Sequence, residues 1–432
     1  MTAWQHQVAQ ICPTALAGSV VSWEGTVTGV ADFPAPVGAQ VEIQRAGAGA
    51  IPGEVVGFRN DLTLVYPWGP LEGVRYGARV RLVRTARSVA VGEALLGRVL
   101  DARGRPIDGR PRPALWQRAL LEQRPPDPVS RPRIDRPLPT GIRAIDGLLT
   151  CGLGQRLGIF AGAGVGKSVT LGMLVRHTAA DVAVVALIGE RGREVNEFLQ
   201  RDLGAEGRAR SVVVVATSDE PAPLRVRAAL TATALAEYFR DQGRNVLLLM
   251  DSLTRLAHAQ REIGLAAGEP PTTRGYPPST FALLPKLIER AGRAPRGSIT
   301  GFYSVLVEGD DPQEPVSDAA RGLLDGHIYL SRRLASQGHF PAVDVLESVS
   351  RVMPDVVSRE QRLAATRFRE FLAAHRDHAD LISIGAYRPG TNPLVDAAET
   401  RLPDLQRFLR QDLHETSPLE LTQQQLTSLT AP

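Results

Sequence analysis

At 432 residues, with 43% apolar and 22% charged side chains, the chain has room for roughly two to three folded units and is far from a disordered composition. Its 50 basic and 46 acidic residues leave a net charge of only +4, which excludes a dedicated polyanion-binding surface, so no specific nucleic-acid partner is expected. Two distant cysteines, Cys12 and Cys151, exclude a disulfide framework and a cysteine zinc site, and the first residues carry no signal-peptide pattern, so a cytoplasmic chain is expected.

Residues 1–19 form an N-terminal segment without strong periodicity. Over residues 20–86, short alternating apolar runs are broken by glycine, as in Gly25-Thr-Val-Thr-Gly-Val30, Ala39-Gln-Val-Glu-Ile43 and Ala78-Arg-Val-Arg-Leu-Val83. That spacing predicts a small β-barrel. Residues 98–143 shift to 11 Arg and nine Pro, with Pro125-Pro126 and Pro128 closing off helix formation. This stretch reads as an extended connector. Its arginines could meet anionic lipid or nucleic acid; the plainer and commoner arrangement is a solvated linker wrapped on the next domain.

From residue 155 to 331, apolar runs of strand length alternate with helical segments. Gly158-Ile-Phe160, residues 182–188, 212–216, 246–250 and 299–307, and His327-Ile-Tyr-Leu330 are continuous apolar stretches, as strands buried on both faces require. Helices between them imply a mainly parallel sheet and an α/β fold class. After residue 351 the chain reads helical: Ser358 with Gln361 makes a capping box ahead of Leu363, Phe368, Phe371 and Leu372. Asn392-Pro393, and Ser417-Pro418 with Glu420, start two more helices, so residues 352–432 form a helical domain.

Within the α/β region, Ala161-Gly-Ala-Gly-Val-Gly-Lys-Ser168 follows a strand and precedes a helical run, the context a phosphate-binding P-loop needs. Backbone amides of Gly162, Ala163, Gly164, Val165 and Gly166 can converge on a β-phosphate, with Val169 continuing into the helix. Lys167 would reach the β/γ oxygens, and Ser168 would ligate Mg2+ on a bound ATP. Ala161 departs from the strict pattern by one methyl group. A chance glycine-rich turn is the alternative, but only two of the 50 basic residues are lysines, Lys167 and Lys286, and one stands in the required place.

Residues 246–250 end in Asp251, a carboxylate at the end of a buried strand. Beside a P-loop such an Asp holds the Mg2+ shell; it can also cap the following helix, and the two roles are compatible. Gly189-Glu-Arg-Gly-Arg-Glu194 ends another strand, at the sheet edge where ligands collect. Glu190 is the candidate to orient and deprotonate an attacking water. An exposed Glu-Arg pair is elsewhere a surface salt bridge; the P-loop changes that reading.

The strings Ile145-Asp-Gly-Leu-Leu-Thr-Cys-Gly152, Gly189-Glu-Arg-Gly-Arg-Glu194, Asp251-Ser-Leu-Thr-Arg255, Gly268-Glu-Pro-Pro271, Val307-Glu-Gly-Asp-Asp311 and Ser348-Val-Ser-Arg351, with the P-loop, resemble the type III secretion ATPases, flagellar and injectisome. These are relatives of the catalytic subunit of rotary ATP synthases, and the resemblance covers essentially the whole chain. It implies a RecA-like ATPase domain over residues 87–351, with Glu190 as catalytic carboxylate, Arg191 as a phosphate-side partner, and Arg351 as an arginine finger inserted into a neighbouring subunit. It sets Phe340 against the adenine ring, where the family generally has Tyr, and Leu413 where rotary ATPases have a second aromatic. It further implies a homohexamer, a stator protein at the N-terminal segment, a central stalk protein at the loop 264–279, chaperone-bound cargo at the C-terminal helices, and an export gate at the inner membrane. Leu149-Thr-Cys-Gly152, Pro125-Pro-Asp-Pro128 and Phe408-Leu-Arg-Gln411 lean toward the injectisome branch.

Two other classes compete. A Rho-like RNA-dependent ring helicase wants clustered exposed aromatics on its barrel, whereas Trp23, Phe33, Phe58, Tyr66, Trp68 and Tyr76 are scattered. A non-catalytic nucleotide-binding subunit would lack the carboxylate at position 190, and Glu190 is present.

Overall fold

The computed structural model of the chain describes residues 16–47, 49–307 and 314–431. β1 (Ala17–Glu24), β2 (Val27–Ala31), β3 (Gln40–Ile43), β4 (Ile51–Arg59), β5 (Leu62–Pro67) and β6 (Arg79–Arg84) close into an antiparallel barrel, in the order β1-β2-β5-β4-β3-β6. Alternation drives the closure: Val41, Ile43 and Val80 point into a core shared with Val20, Val30, Val55 and Val65, while Arg81 and Glu42 pair outside at 2.8 Å. Phe33, Tyr66 and Trp68 are buried, which leaves three exposed rings, Phe58 and the pair Trp23 and Tyr76 that line one surface pocket.

The Arg/Pro-rich connector is more ordered than an extended linker. β7 (Ser88–Val91) pairs with β9 (Gln117–Leu120), and between them β8 (Val99–Asp101) joins the edge of the main sheet. The reason is that several of its arginines carry internal partners: Arg98 grips Asp108 through Nε at 2.7 Å and Nη2 at 2.8 Å, and Arg118 donates to the Ser88 hydroxyl at 3.0 Å.

The main sheet contains β10 (Arg156–Ala161), β11 (Val182–Glu190), β12 (Ser211–Thr217), β13 (Asn245–Asp251), β14 (Gly292–Arg293), β15 (Ser298–Leu306), β16 (Gly326–Leu330) and β17 (Val349–Ser350). Its order is β17-β16-β10-β15-β13-β11-β12-β8; β14 and β17 pair antiparallel and all other ladders are parallel. The helices, in chain order, are α1 (Arg143–Leu148), α2 (Lys167–His177), α3 (Gly192–Glu197), α4 (Gly204–Ala209), α5 (Ala222–Asp241), α6 (Leu253–Ala266), α7 (Pro278–Ile288), α8 (Pro315–Leu323), α9 (Arg332–Ser336), α10 (Met353–Val356), α11 (Arg359–Ser383), α12 (Pro393–Leu409) and α13 (Leu419–Leu429). One core lies under α5–α8 and a second under α2 and the C-terminal helices, so each sheet face is covered, as apolar strands without a polar side demand. Among the described residues no helix is long and apolar enough to cross a membrane.

The expected capping box at α11 is only half formed. Ser358 Oγ accepts from Gln361 N at 3.1 Å, but the Gln361 side chain does not return to Ser358. Instead it donates to Asp146 O at 3.0 Å and Thr150 Oγ1 at 3.1 Å, because the end of α1 is buried and its carbonyls need donors. Between the helices, His375 Nδ1 meets Glu399 Oε1 at 2.6 Å and ties α11 to α12. Beyond α12, Gln411 N donates to Phe340 O at 2.9 Å and Gln411 Nε2 to Gly141 O at 2.7 Å.

On the other sheet face, Glu237 of α5 and Arg290 after α7 form a buried bidentate pair, 2.9 Å and 2.5 Å, and Arg290 Nη1 also donates to Leu121 O at 2.6 Å. Removing one partner strands the other charge in a desolvated place. Glu237→Ala should therefore lower unfolding stability by ~3–5 kcal/mol in denaturant titration, with Glu237→Ala/Arg290→Met recovering most of it. A single variant as stable as the parent would contradict the pair's importance.

Candidate nucleotide site

Three parallel strands end together. β10 runs into the glycine loop and α2, β11 ends on Glu190, and β13 ends on Asp251 in register with Leu187. In the loop, Gly164 and Gly166 have φ of +77° and +84°, a region that only glycine enters without strain. A Cβ at Gly164 would meet nothing within 4 Å, so the cradle is open there, whereas at Gly166 it would approach the Phe340 ring at 3.2 Å. Ala161, the departure from the strict pattern, is fully buried at the strand end, so its extra methyl sits in the core and outside the cradle.

Lys167 Nζ lies 2.5 Å from Asp251 Oδ1 and 3.4 Å from Glu190 Oε1, with side-chain exposures of 13%, 5% and 13% respectively. At that burial the pairing decides the protonation states. Burial opposes the ammonium, but Asp251 and Glu190 outweigh it and hold the Lys167 pKa above the usual lysine value. Burial, followed by the nearby Asp251 charge, pushes the Glu190 pKa up to about 7, although Lys167 and Arg255 pull the other way. Glu190 also shares a hydrogen bond with Glu194, whose carboxyl is held below its ordinary range by it, so Glu190 is the proton carrier of the two. Asp251 accepts a further hydrogen bond from Ser304 Oγ of β15 at 2.5 Å.

Sequence reasoning passed over three of these neighbours. Ser304 is one of several buried hydroxyls on β15, beside Ser298, Thr300 and Tyr303, so its residue type did not single it out. Arg255 stands on the first turn of α6, against Gly189, where a Cβ would come within 3.1 Å of it; its Nε is buried without a partner among the described residues. Glu194 lies one turn past Glu190, a spacing that gave no hint of a shared proton.

The remaining predicted residues fall in different places. Gly162, Ala163 and Val165 complete the loop, Ser168 opens α2 beside Lys167, and Val169 packs toward the core beneath α2. The Arg191 guanidinium precedes α3, is 78% exposed and pairs with Glu194 at 3.6 Å. Phe340 lies against Gly166 with its ring partly open to solvent. Leu413 packs against the core, and its carbonyl accepts from Arg176 Nη2 of α2 at 2.6 Å. Arg351 is not brought to Lys167. It follows β17, which pairs with the start of β16, whereas the P-loop leaves the far end of β10 opposite Leu330. Four strand residues separate these levels, ~13 Å. Of the string from Val307 to Asp311, residues 308–311 lie outside the described residues, as do residues 1–15 of the N-terminal segment.

The donors suit a triphosphate and a hard cation. Lys167 supplies a buried ammonium, and Ser168 and Asp251 supply oxygen ligands of the kind Mg2+ takes. No group of three His, Cys, Asp or Glu side chains able to hold a metal occurs among the described residues, and Mg2+ shared with phosphates and water requires none.

Comparison with known proteins agrees with this geometry. Residues 141–350 match the nucleotide-binding domain of the ATP synthase alpha/beta family, and residues 357–428 match the T3SS EscN ATPase C-terminal domain. The flagellum-specific ATP synthase of Bacillus subtilis is 53% identical over 88% of this chain and 87% of its own length. The type 3 secretion system ATPase of Xanthomonas euvesicatoria is 49% identical over 99% of this chain and 97% of its own. The assembled ATPase EscN of enteropathogenic E. coli superposes with a TM-score of 0.91 at 45% identity, covering 96% of this chain and 100% of that one. The same protein solved with its central stalk EscO gives 0.89. A strand-end lysine between two carboxylates, in a chain matched end to end at such identity, leads to one conclusion: this protein belongs to the type III secretion ATPases, flagellar and injectisome, and is an ATP hydrolase.

Proposed function

We propose that the chain hydrolyses Mg-ATP as a homohexamer at the cytoplasmic face of the inner membrane, energising chaperone release and unfolding of proteins exported by a type III apparatus of the injectisome kind. One observation carries the chemistry: the convergence of Lys167, Glu190 and Asp251 at the carboxyl ends of three strands, beside an open glycine loop. The injectisome branch rests on Leu149-Thr-Cys-Gly152, Pro125-Pro-Asp-Pro128 and Phe408-Leu-Arg-Gln411, while the relatives carry flagellar and injectisome names alike. In the domain reading that goes with it, residues 20–86 are the barrel, 87–351 the ATPase domain and 352–432 the helical domain.

In this reading Lys167 leaves its carboxylates for the β/γ-phosphate oxygens, while the amides of residues 162–166 receive the phosphates. Ser168 and Asp251 would hold Mg2+, which supplies charge neutralisation on the phosphates. Glu190 orients the attacking water and takes its proton, with Glu194 accepting a hydrogen bond from the protonated carboxyl; Arg191 turns in from solvent to the phosphate side. Phe340 offers a stacking face to the adenine. Arg351, exposed at the far edge of the sheet, is too distant for its own subunit's phosphate, which favours action in trans and hence the ring. The partners follow: a stator protein at the N-terminal segment, a stalk protein at the pore loop as EscO is for EscN, chaperone-bound cargo at α11–α13, and the export gate.

Three measurements test the reading. Lys167→Ala should cut phosphate release from ATP by ~10²- to 10³-fold, and undiminished release in pure protein would remove the site. Arg351→Ala should keep ATP binding while lowering turnover of the assembled ring by ~10³- to 10⁵-fold; equal turnover of variant and parent at matched particle size would take Arg351 out of the reaction. The pH profile reports the base: with a Glu190 pKa of about 7, protonation on the acid side removes the base, so kcat/KM for ATP should fall as pH drops through about 7. Glu194→Gln removes the acceptor that favours protonated Glu190, so the acid limb should move to lower pH; an unmoved limb would separate the two carboxyls.

A further inference from the structure

Arg351 is held at the sheet's far edge by a small set of contacts that lead back to the strand carrying the phosphate loop. Its backbone N donates to Asp325 O at 3.0 Å, and Asp325 is itself fixed by Arg156 of β10 through N at 3.0 Å, Nε at 3.1 Å and Nη2 at 3.2 Å. Its guanidinium Nη2 reaches Arg321 O at 3.5 Å, in the last turn of α8. That distance is long for a hydrogen bond, so the partial negative charge of the helix end holds the cation as much as the bond does.

The end of α8 is in turn anchored by the Arg321 side chain. Its guanidinium carbon stands 5.3 Å over the centre of the Phe160 ring, and His327 of β16 meets the same ring edge-on at 5.7 Å. Gly158 makes the seat: a Cβ there would come within 2.4 Å of Phe160 Cε2 and 3.0 Å of Leu324 Cδ1. Burial, with the charges of Arg321 and Arg351, lowers the His327 pKa from its ordinary value, and its Nε2 lies 3.0 Å from Glu347 O. Phe160 is the residue before Ala161, so the ring that Arg321 covers belongs to the strand that ends in the P-loop. α8 has nine residues, about 14 Å of rigid rod, and its first turn is fixed by Glu314 accepting from Ser317 N at 2.8 Å.

We infer that Arg321 is a positioning residue for the Arg351 finger: its stack on Phe160 fixes the helix end against which Arg351 rests, and so links each subunit's phosphate strand to the arginine that subunit lends its neighbour. This rests on the reading of Arg351 as acting in trans. Neither Arg321 nor Phe160 touches the neighbour's phosphate, so the effect is on where the finger stands.

Arg321→Ala, and Arg321→Met, which keeps the apolar stem without the charge, should leave ATP affinity and the turnover of unassembled protein unchanged. Turnover of the assembled ring should fall ~10- to 100-fold, as misplacing a catalytic group by about 1 Å does, and Arg321→Lys should restore most of it. The deciding measurement mixes subunits. Glu190→Gln protein has an inactive site and an intact finger; in excess over an Arg321 variant it places a sound finger beside each competent site. Turnover per Arg321-variant subunit should then rise toward the parental value, a rescue that a general folding defect cannot produce. Arg351→Ala, mixed in the same way, is the control. If Arg351→Ala is rescued and neither Arg321 variant is, or if both variants turn over like the parent, the positioning role is wrong while the finger stands. If Arg351→Ala is not rescued either, the finger reading fails and this inference with it.

Discussion

Everything in the nucleotide site is organised around one buried ammonium. Lys167 enters the sheet edge as the first residue of α2, and two carboxylates from separate strands close on it at 2.5 Å and 3.4 Å. A charge with so little solvent around it must be paired, and until a polyanion arrives these are its partners. The two carboxylates thus keep the lysine charged in the protein as it stands. The elevated Glu190 pKa is the electrostatic counterpart: near a second anion, and shielded from water, this carboxyl gives up its proton reluctantly and takes one readily.

The parallel sheet sets Arg351 apart from the glycine loop of its own chain. All strand ends that bear Lys167, Glu190 and Asp251 face one way, while β17 returns antiparallel and delivers Arg351 to the other end. Strand direction therefore keeps Arg351 and the Lys167 cluster at opposite ends of the sheet within one chain.

Much of this was legible in the sequence because it depends on local pattern. Continuous apolar runs located the buried parallel strands, alternating ones the barrel, and the glycine loop with its single lysine located the phosphate cradle. The connector was less legible, because nothing in a run of Arg and Pro says that Asp108 will capture Arg98 and that three residues will join the sheet edge. Gln361 misled for a related reason: a capping box can be read from spacing, yet the buried carbonyls of α1, more than 200 residues away, made the better offer. Arg255, Ser304 and Glu194 escaped notice as site members since each earns its role from three-dimensional neighbours. Residue type alone also could not say that Arg191 would face solvent while Glu190, its neighbour in the chain, faces inward.

Gln411 ties the helical domain to the neighbourhood of the glycine loop. Its backbone holds the carbonyl of Phe340, whose ring abuts the phosphate loop, and its side chain holds Gly141 just ahead of α1. A displacement of the chain beyond α12 is therefore passed to Phe340 and to the approach of α1 together, so the helical domain and the glycine-loop region shift as one hinged unit.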